Sequence, residues 1–304
     1  MIFFFDRCTP CQFIFLLAGA FFCSIAADFL PEPLDSLADC FYIAEILLTW
    51  VFVVRVLNST SSGLSPHLRR VVHWVHAQTL ELFALIYLLF LGLSALFFKN
   101  RPVSSFDKPR PILLVHGYLN AGFVWMFLRK YLSKNGFGPV YTIDLGHPFQ
   151  SIHSYALKVQ QIARQIAQET GCIELTLVGH SMGGLVSCYY AAKFARVNSV
   201  LKVITIGSPL FGTRVAKIGL GQCAREMEIG SEFIKEFHDA MEVRGDLQIY
   251  NIVSTVDEIV IPYSSAVFQS EPQNQLFIED IGHISLLFSK RVADQLCGWI
   301  AARR

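Results

Sequence analysis

The sequence predicts an α/β protein, a mostly parallel sheet with helices on both faces, preceded by transmembrane helices. Three observations predict it. After residue 110, short apolar β-prone runs alternate with helical patterns, as βαβ units require. The pentapeptide Gly179-His180-Ser181-Met182-Gly183 falls where one such strand passes into one such helix. Ahead of both, residues 1–98 carry three long segments almost without charge.

Those segments come first in the chain. Hydrophobic residues make up 53% of the sequence and charged residues only 16%, and the mean hydropathy is +0.45. These values lie outside those of ordinary water-soluble domains. The excess is concentrated in 12–27, 41–57 and 80–98. A helix needs about 20 apolar residues to cross a bilayer, so 1–98 reads as a membrane region with two or three spans. Glu45 and Arg55 lie near the ends of the second segment, and Glu81 stands at the start of the third. The first segment has a second reading, a cleaved signal peptide, because Ser24-Ile25-Ala26 offers small residues at a cleavage point. Asp28, Glu32, Asp35 and Asp39 separate the first two segments, whereas Arg69 and Arg70 separate the second and third. Positive loops stay cytoplasmic, which makes the downstream domain extracytoplasmic. Lys99, Arg101, Lys108 and Arg110 pull the other way. The net charge of +1 leaves no footprint for nucleic acid, and the bilayer itself is the expected partner.

Residues 99–110 read as a linker and 111–304 as one α/β domain. Strands are predicted at 111–116, 140–144, 175–179, 202–207, 248–253 and 275–278, and helices at 124–135, 154–170, 182–196, 228–242 and 285–302. The interval 210–245 is the one sizeable excursion. A sheet of this kind gathers its functional groups outside the carboxyl ends of its strands.

Chemistry enters at those ends. Ser181 between strand and helix has the form of a nucleophile elbow, with Gly179 and Gly183 leaving room for a strained turn. The helix N-terminus then aims amide N–H groups where an oxyanion would form. A serine hydroxyl is a weak nucleophile at neutral pH, so a base must take its proton. His283, past the last strand, suits that role, and Asp257, past the strand before it, would orient the imidazole. Glu258, Asp280 and Asp144 remain rivals for the acid. The expected oxyanion donors are the backbone N–H groups of Met182 and of Tyr118, which follows His116-Gly117 at a strand end. His116 and His180 flank the site as partners of the backbone. Ser208, ahead of Pro209, reads as structural. The eight cysteines, Cys8, Cys11, Cys23, Cys40, Cys172, Cys188, Cys223 and Cys297, show no zinc spacing. Cys8-Thr9-Pro10-Cys11 precedes an apolar segment rather than a redox fold, so neither metal nor cofactor is expected.

These pieces together resemble a small microbial lipase/esterase of the α/β-hydrolase superfamily, of the triacylglycerol lipase type. The resemblance rests on Val115-His116-Gly117-Tyr118, Gly179-His180-Ser181-Met182-Gly183-Gly184, Gly207-Ser208-Pro209-Leu210-Phe211-Gly212-Thr213, Asp257-Glu258-Ile259-Val260 and Gly282-His283. It implies an α/β-hydrolase fold with Ser181 as nucleophile, Asp257 as acid, His283 as base, and Tyr118 and Met182 as oxyanion donors. It departs at Leu210, where relatives often carry histidine, a point that bears on substrate fit. The implied activity is hydrolysis of lipid acyl esters at a membrane through an acyl-enzyme on Ser181. Acyl transfer or thioester hydrolysis would use the same triad. A non-catalytic membrane scaffold is the remaining alternative, and the intact set of triad residues speaks against it.

Overall fold

The computed structural model describes residues 50, 53–54, 56–58, 60–95, 110–244, 247–268 and 271–302. The expected span at 12–27, most of that at 41–57, and Cys8, Cys11, Cys23 and Cys40 lie outside the described residues.

Among the described residues six strands form one sheet: β1 (Ile112–Val115), β2 (Val140–Ile143), β3 (Leu175–His180), β4 (Val200–Ile206), β5 (Ile249–Ser254) and β6 (Gln275–Ile278). Their order is β2-β1-β3-β4-β5-β6, and every pairing is parallel. Each lies within two residues of its predicted position. The strands are runs of Ile, Leu and Val because a parallel sheet is covered on both faces. Successive side chains point to opposite faces, so Leu113 and Leu114 enter different cores. Leu114, Val178, Ile204 and Ile252 meet α2 (Met126–Lys134) and α7 (Lys290–Ala301) through Leu128, Leu132, Val292 and Leu296. Leu113, Leu177 and Val203 meet α3 (Ile152–Thr170), α4 (Met182–Lys193) and α6 (Glu232–Val243) through Val159, Leu185 and Phe237.

Two predicted helices differ in the structure. α5 (Gln222–Glu226) lies ahead of the pattern predicted over 228–242, and α6 starts inside that pattern at Glu232, where the Ser231 side chain accepts from Ile234 N and caps the helix. The pattern over 285–302 becomes a 3-10 turn, Ser285–Phe288, and then α7. Ser289 makes that break: its side chain accepts a hydrogen bond from Val292 N and caps a new helix.

Of the third apolar segment, expected as a span over 80–98, residues 80–95 fall within α1 (Pro66–Ala95), which begins earlier, and 96–98 lie outside the described residues. Leu80, Ala84 and Leu88 recur at helical spacing and enter the core shared with α2 and α7. Tyr87 meets Phe288 edge-on, with ring centroids 5.3 Å apart. Trp74, Leu82, Leu85, Ile86 and Leu89 on the other side are exposed. Over Pro66–Leu89 the helix is long and apolar enough to cross a membrane by length and composition. Its inner face packs into the core of the α/β domain. Trp50, from the second apolar segment, donates from its indole Nε1 to Thr79 Oγ1 on α1 at 3.1 Å.

Candidate active site

β3 delivers Ser181 and α4 departs from it. The turn between them is tight enough that Ser181 takes φ +55° and ψ −130°, a strained conformation for a residue with a side chain. Close approach makes the flanking glycines necessary. A Cβ on Gly179 would overlap the backbone of Gly183 and Gly184, and one on Gly183 would overlap the carbonyls of Val115 and His116. The turn is fastened by Ser181 N, which donates to Ile206 O at 2.9 Å.

His283 and Asp257 come together from the last two strand ends. Asp257 Oδ2 lies 2.8 Å from His283 Nδ1, and both side chains are almost fully buried. Asp257 Oδ1 accepts from Ile259 N at 2.8 Å and Val260 N at 2.7 Å. Burial works against the Asp257 charge, but the charge and hydrogen bond of His283 and those two N–H groups outweigh it and hold the carboxyl below its ordinary range. Burial likewise works to lower His283, but the charge and hydrogen bond of Asp257, with Glu81 and Glu258 adding, raise it above its ordinary value.

His180 connects this pair to the elbow. Its Nε2 donates to His283 O at 3.1 Å, and the two rings lie 4.7 Å apart. It is fully buried, and burial with the neighbouring His283 pushes its pKa down to about 3, so it acts as a neutral spacer. His180, the residue before Ser181, thus links the Asp257–His283 pair to the carboxyl end of β3.

The Tyr118 peptide is aimed with similar economy. Leu145 N donates to His116 Nε2 at 3.0 Å, which leaves the His116 proton on Nδ1, and that proton goes to Gly117 O at 2.9 Å. Asn120 N donates to the same carbonyl at 3.4 Å. In a trans peptide the N–H opposes the C=O, so pinning Gly117 O turns the Tyr118 N–H the other way. Gly117 lies against the serine: a Cβ there would be 2.8 Å from Ser181 Cβ. Met182 opens α4, where a helix leaves its N–H groups without intrahelical partners.

A profile of the alpha/beta hydrolase fold matches residues 110–228. Bacillus licheniformis lipase BlEst2 in its mature form superposes with a TM-score of 0.54 at 18% identity, over 62% of this chain and 90% of that one. Its propeptide form superposes at 0.57, again at 18% identity, over 68% and 53%. The fold is the α/β-hydrolase fold. Among curated proteins, a triacylglycerol lipase of Pseudarthrobacter phenanthrenivorans is 33% identical over 115 residues, 35% of this chain and 35% of its own. One of Burkholderia plantarii is 33% identical over 115 residues, 35% and 31%. The chain thus matches about a third of the length of these relatives.

Within the α/β-hydrolase fold the rival acids are placed elsewhere. Asp144 is exposed and accepts from Gly146 N. Asp280 is bound by Arg291 Nη2 at 2.7 Å and Asn58 Nδ2 at 2.9 Å. Asp257 holds His283 Nδ1, and Glu258 Oε2 lies instead 3.1 Å from where a Gly282 Cβ would stand. Ser208 is buried beneath Gly184. Leu210 is fully buried in the core of the α3 side. No cluster of three or more histidine, cysteine or acidic side chains able to hold a metal occurs among the described residues.

One residue of the site was not anticipated. Glu81 of α1 accepts hydrogen bonds from Ile284 N at 2.6 Å and Ser285 N at 2.9 Å, immediately after His283. Its signal in the sequence is a lone carboxylate in an apolar segment, which the membrane reading treated as an end marker.

Proposed function

We propose that the chain is a membrane-anchored serine carboxylic-ester hydrolase acting on lipid acyl esters. Ser181 attacks the ester carbonyl while His283 takes its proton, and the N–H groups of Tyr118 and Met182 receive the developing oxyanion. His283 gives that proton to the departing alcohol as the acyl group stays on Ser181, and a water activated by His283 then releases it as the carboxylic acid. The observation that carries the reading is the buried Asp257–His283 pair, and the strained backbone of Ser181 at the end of β3 supports it. The lipase names of the relatives agree with it.

Lipid as substrate is favoured by the apolar rim. Tyr118 Oη donates to Leu220 O at 2.8 Å and accepts from Leu220 N at 2.9 Å, which fastens the excursion after β4 beside the proposed oxyanion site. Leu119, Ile218 and Leu220 are exposed there, and isolated apolar side chains on one rim suit acyl chains better than polar esters. Anchoring would come from the apolar segments 12–27 and 41–57 and the exposed face of α1, with the domain on the extracytoplasmic side. Tethering raises the local concentration of bilayer esters.

The test is fluorophosphonate labelling of membranes containing the protein, wild type beside Ser181→Ala. We expect the label to be lost in the variant, and a folded wild type that takes no label would exclude the reading. A double substitution, Ile218→Ser with Leu220→Ser, should lower hydrolysis of emulsified long-chain esters several-fold. Hydrolysis of a soluble butyrate ester should change less than twofold, and an equal loss on both would argue against a lipid-facing rim.

A further inference from the structure

We propose that Glu81 is a positioning residue for His283: its carboxylate, paired with a proton carried by Glu258, fixes the turn that bears His283 and ties it to α1. This rests on reading His283 as the base. The turn after β6 has no regular structure to hold it, so its backbone N–H groups need outside acceptors. Glu81 supplies them. Oε1 receives Ile284 N at 2.6 Å and Oε2 receives Ser285 N at 2.9 Å, a bidentate grip on two successive amides.

A second carboxyl stands on the same spot. A Cβ built on Gly282 would be 2.8 Å from Glu81 Oε2 and 3.1 Å from Glu258 Oε2, so both acids converge over this glycine. Glu258 Oε2 is buried and meets no donor. Two ionised carboxylates so placed repel, and a shared proton removes the conflict. Glu258 is faced by Glu81 from α1 and by Asp257 on its own loop, with His283 on the adjoining turn. Burial first, and then the charge of Glu81, push its carboxyl up to about 8. Glu81 receives two amide donors and Glu258 Oε2 none, so the shared proton sits on Glu258.

The same turn is gripped once more upstream. His76 Nδ1 of α1 donates to Asp280 O at 2.7 Å, and Asn58 Nδ2 donates to Asp280 Oδ2 at 2.9 Å. The residues that precede the hydrolase domain thus hold both sides of His283, at Asp280 and at Ile284–Ser285. A displacement of α1 would move the base.

The test uses full-length protein in detergent with labelled histidine. Glu81→Gln removes a negative charge that raises His283, so the His283 NMR titration should move to lower pH. Its kcat on a p-nitrophenyl ester should fall about 10- to 100-fold with KM within threefold. Glu81→Asp, which keeps the charge on a shorter arm, should recover part of the shift. Glu258→Gln carries its donor at every pH, so the decline of kcat above about pH 8 should disappear. A Glu81→Gln protein with an unmoved His283 titration and kcat within twofold of wild type overturns the proposal. If that variant does not fold, an alkaline limb unchanged in Glu258→Gln overturns it instead. A wild type without fluorophosphonate label whose His283 still responds to Glu81→Gln would sink the hydrolase reading and leave the positioning role standing.

Discussion

Replacing Asp257 with asparagine is expected to lower kcat about 10⁴-fold while leaving KM and the melting temperature nearly unchanged. The direction follows from three hydrogen bonds. Oδ1 accepts from Ile259 N and Val260 N, so that position must remain an oxygen after the substitution. The amide NH2 is then forced to face His283 Nδ1, where it donates. A donor there makes Nδ1 the acceptor and puts the imidazole proton on Nε2, the nitrogen that has to take the Ser181 proton. The variant keeps its shape and holds the wrong tautomer. The pH profile gives an independent check. As the proposed base His283 would work only when neutral, and its pKa is raised in the fold, so wild-type kcat/KM should fall as pH drops through a value above the ordinary histidine range near 6.5. Without the Asp257 charge that limb should move to lower pH. A variant with kcat within tenfold of wild type would mean that another group orients His283.

Gly183→Ala is expected to be the most damaging single methyl group in the domain, costing more than about 4 kcal/mol or preventing folding. The added Cβ would overlap the main-chain carbonyls of Val115 and His116. β1 cannot yield, because it is paired on one side with β2 and on the other with β3. Overpacking against fixed backbone has no rotamer to relieve it. Gly298→Ala is the control, since a Cβ there meets nothing within 4 Å. It lies in α7, where alanine should be neutral or stabilising by about 0.5–1 kcal/mol. Thermal unfolding of the two variants in detergent decides the matter. A folded Gly183→Ala protein melting within a few degrees of wild type would refute the close approach.

Much of this domain was legible because its signals are local. The strands announce themselves as short Ile/Leu/Val runs, and the elbow is specified by five consecutive residues, although only Gly179 answers a collision within the motif and its neighbour Gly184; Gly183 answers the carbonyls of Val115 and His116. Helix breaks were less legible. Ser231 and Ser289 carry the right chemistry for caps, but hydrophobic periodicity runs through both positions and hides them. The choice among Asp257, Glu258, Asp280 and Asp144 was open for a different reason. All four follow strands, and only the packing of β5 beside β6 sets which of them reaches His283.

α1 shows where reading along the chain reaches its end. Composition marks 80–98 as apolar, and an apolar helix can face lipid or a protein core with the same residues. Hydropathy does not distinguish them; the position of a partner surface does. Leu80, Ala84 and Leu88 found one in the α2–α7 core, and that contact carried Glu81 to the turn behind His283. The chain's own order thus determined the sheet, the elbow and the succession Ser181, Asp257, His283, since each depends on neighbours in sequence. The acid that meets the histidine, and the helix that steadies it, were decided by contacts between residues about 26 and 203 positions apart, which only a packed structure brings together.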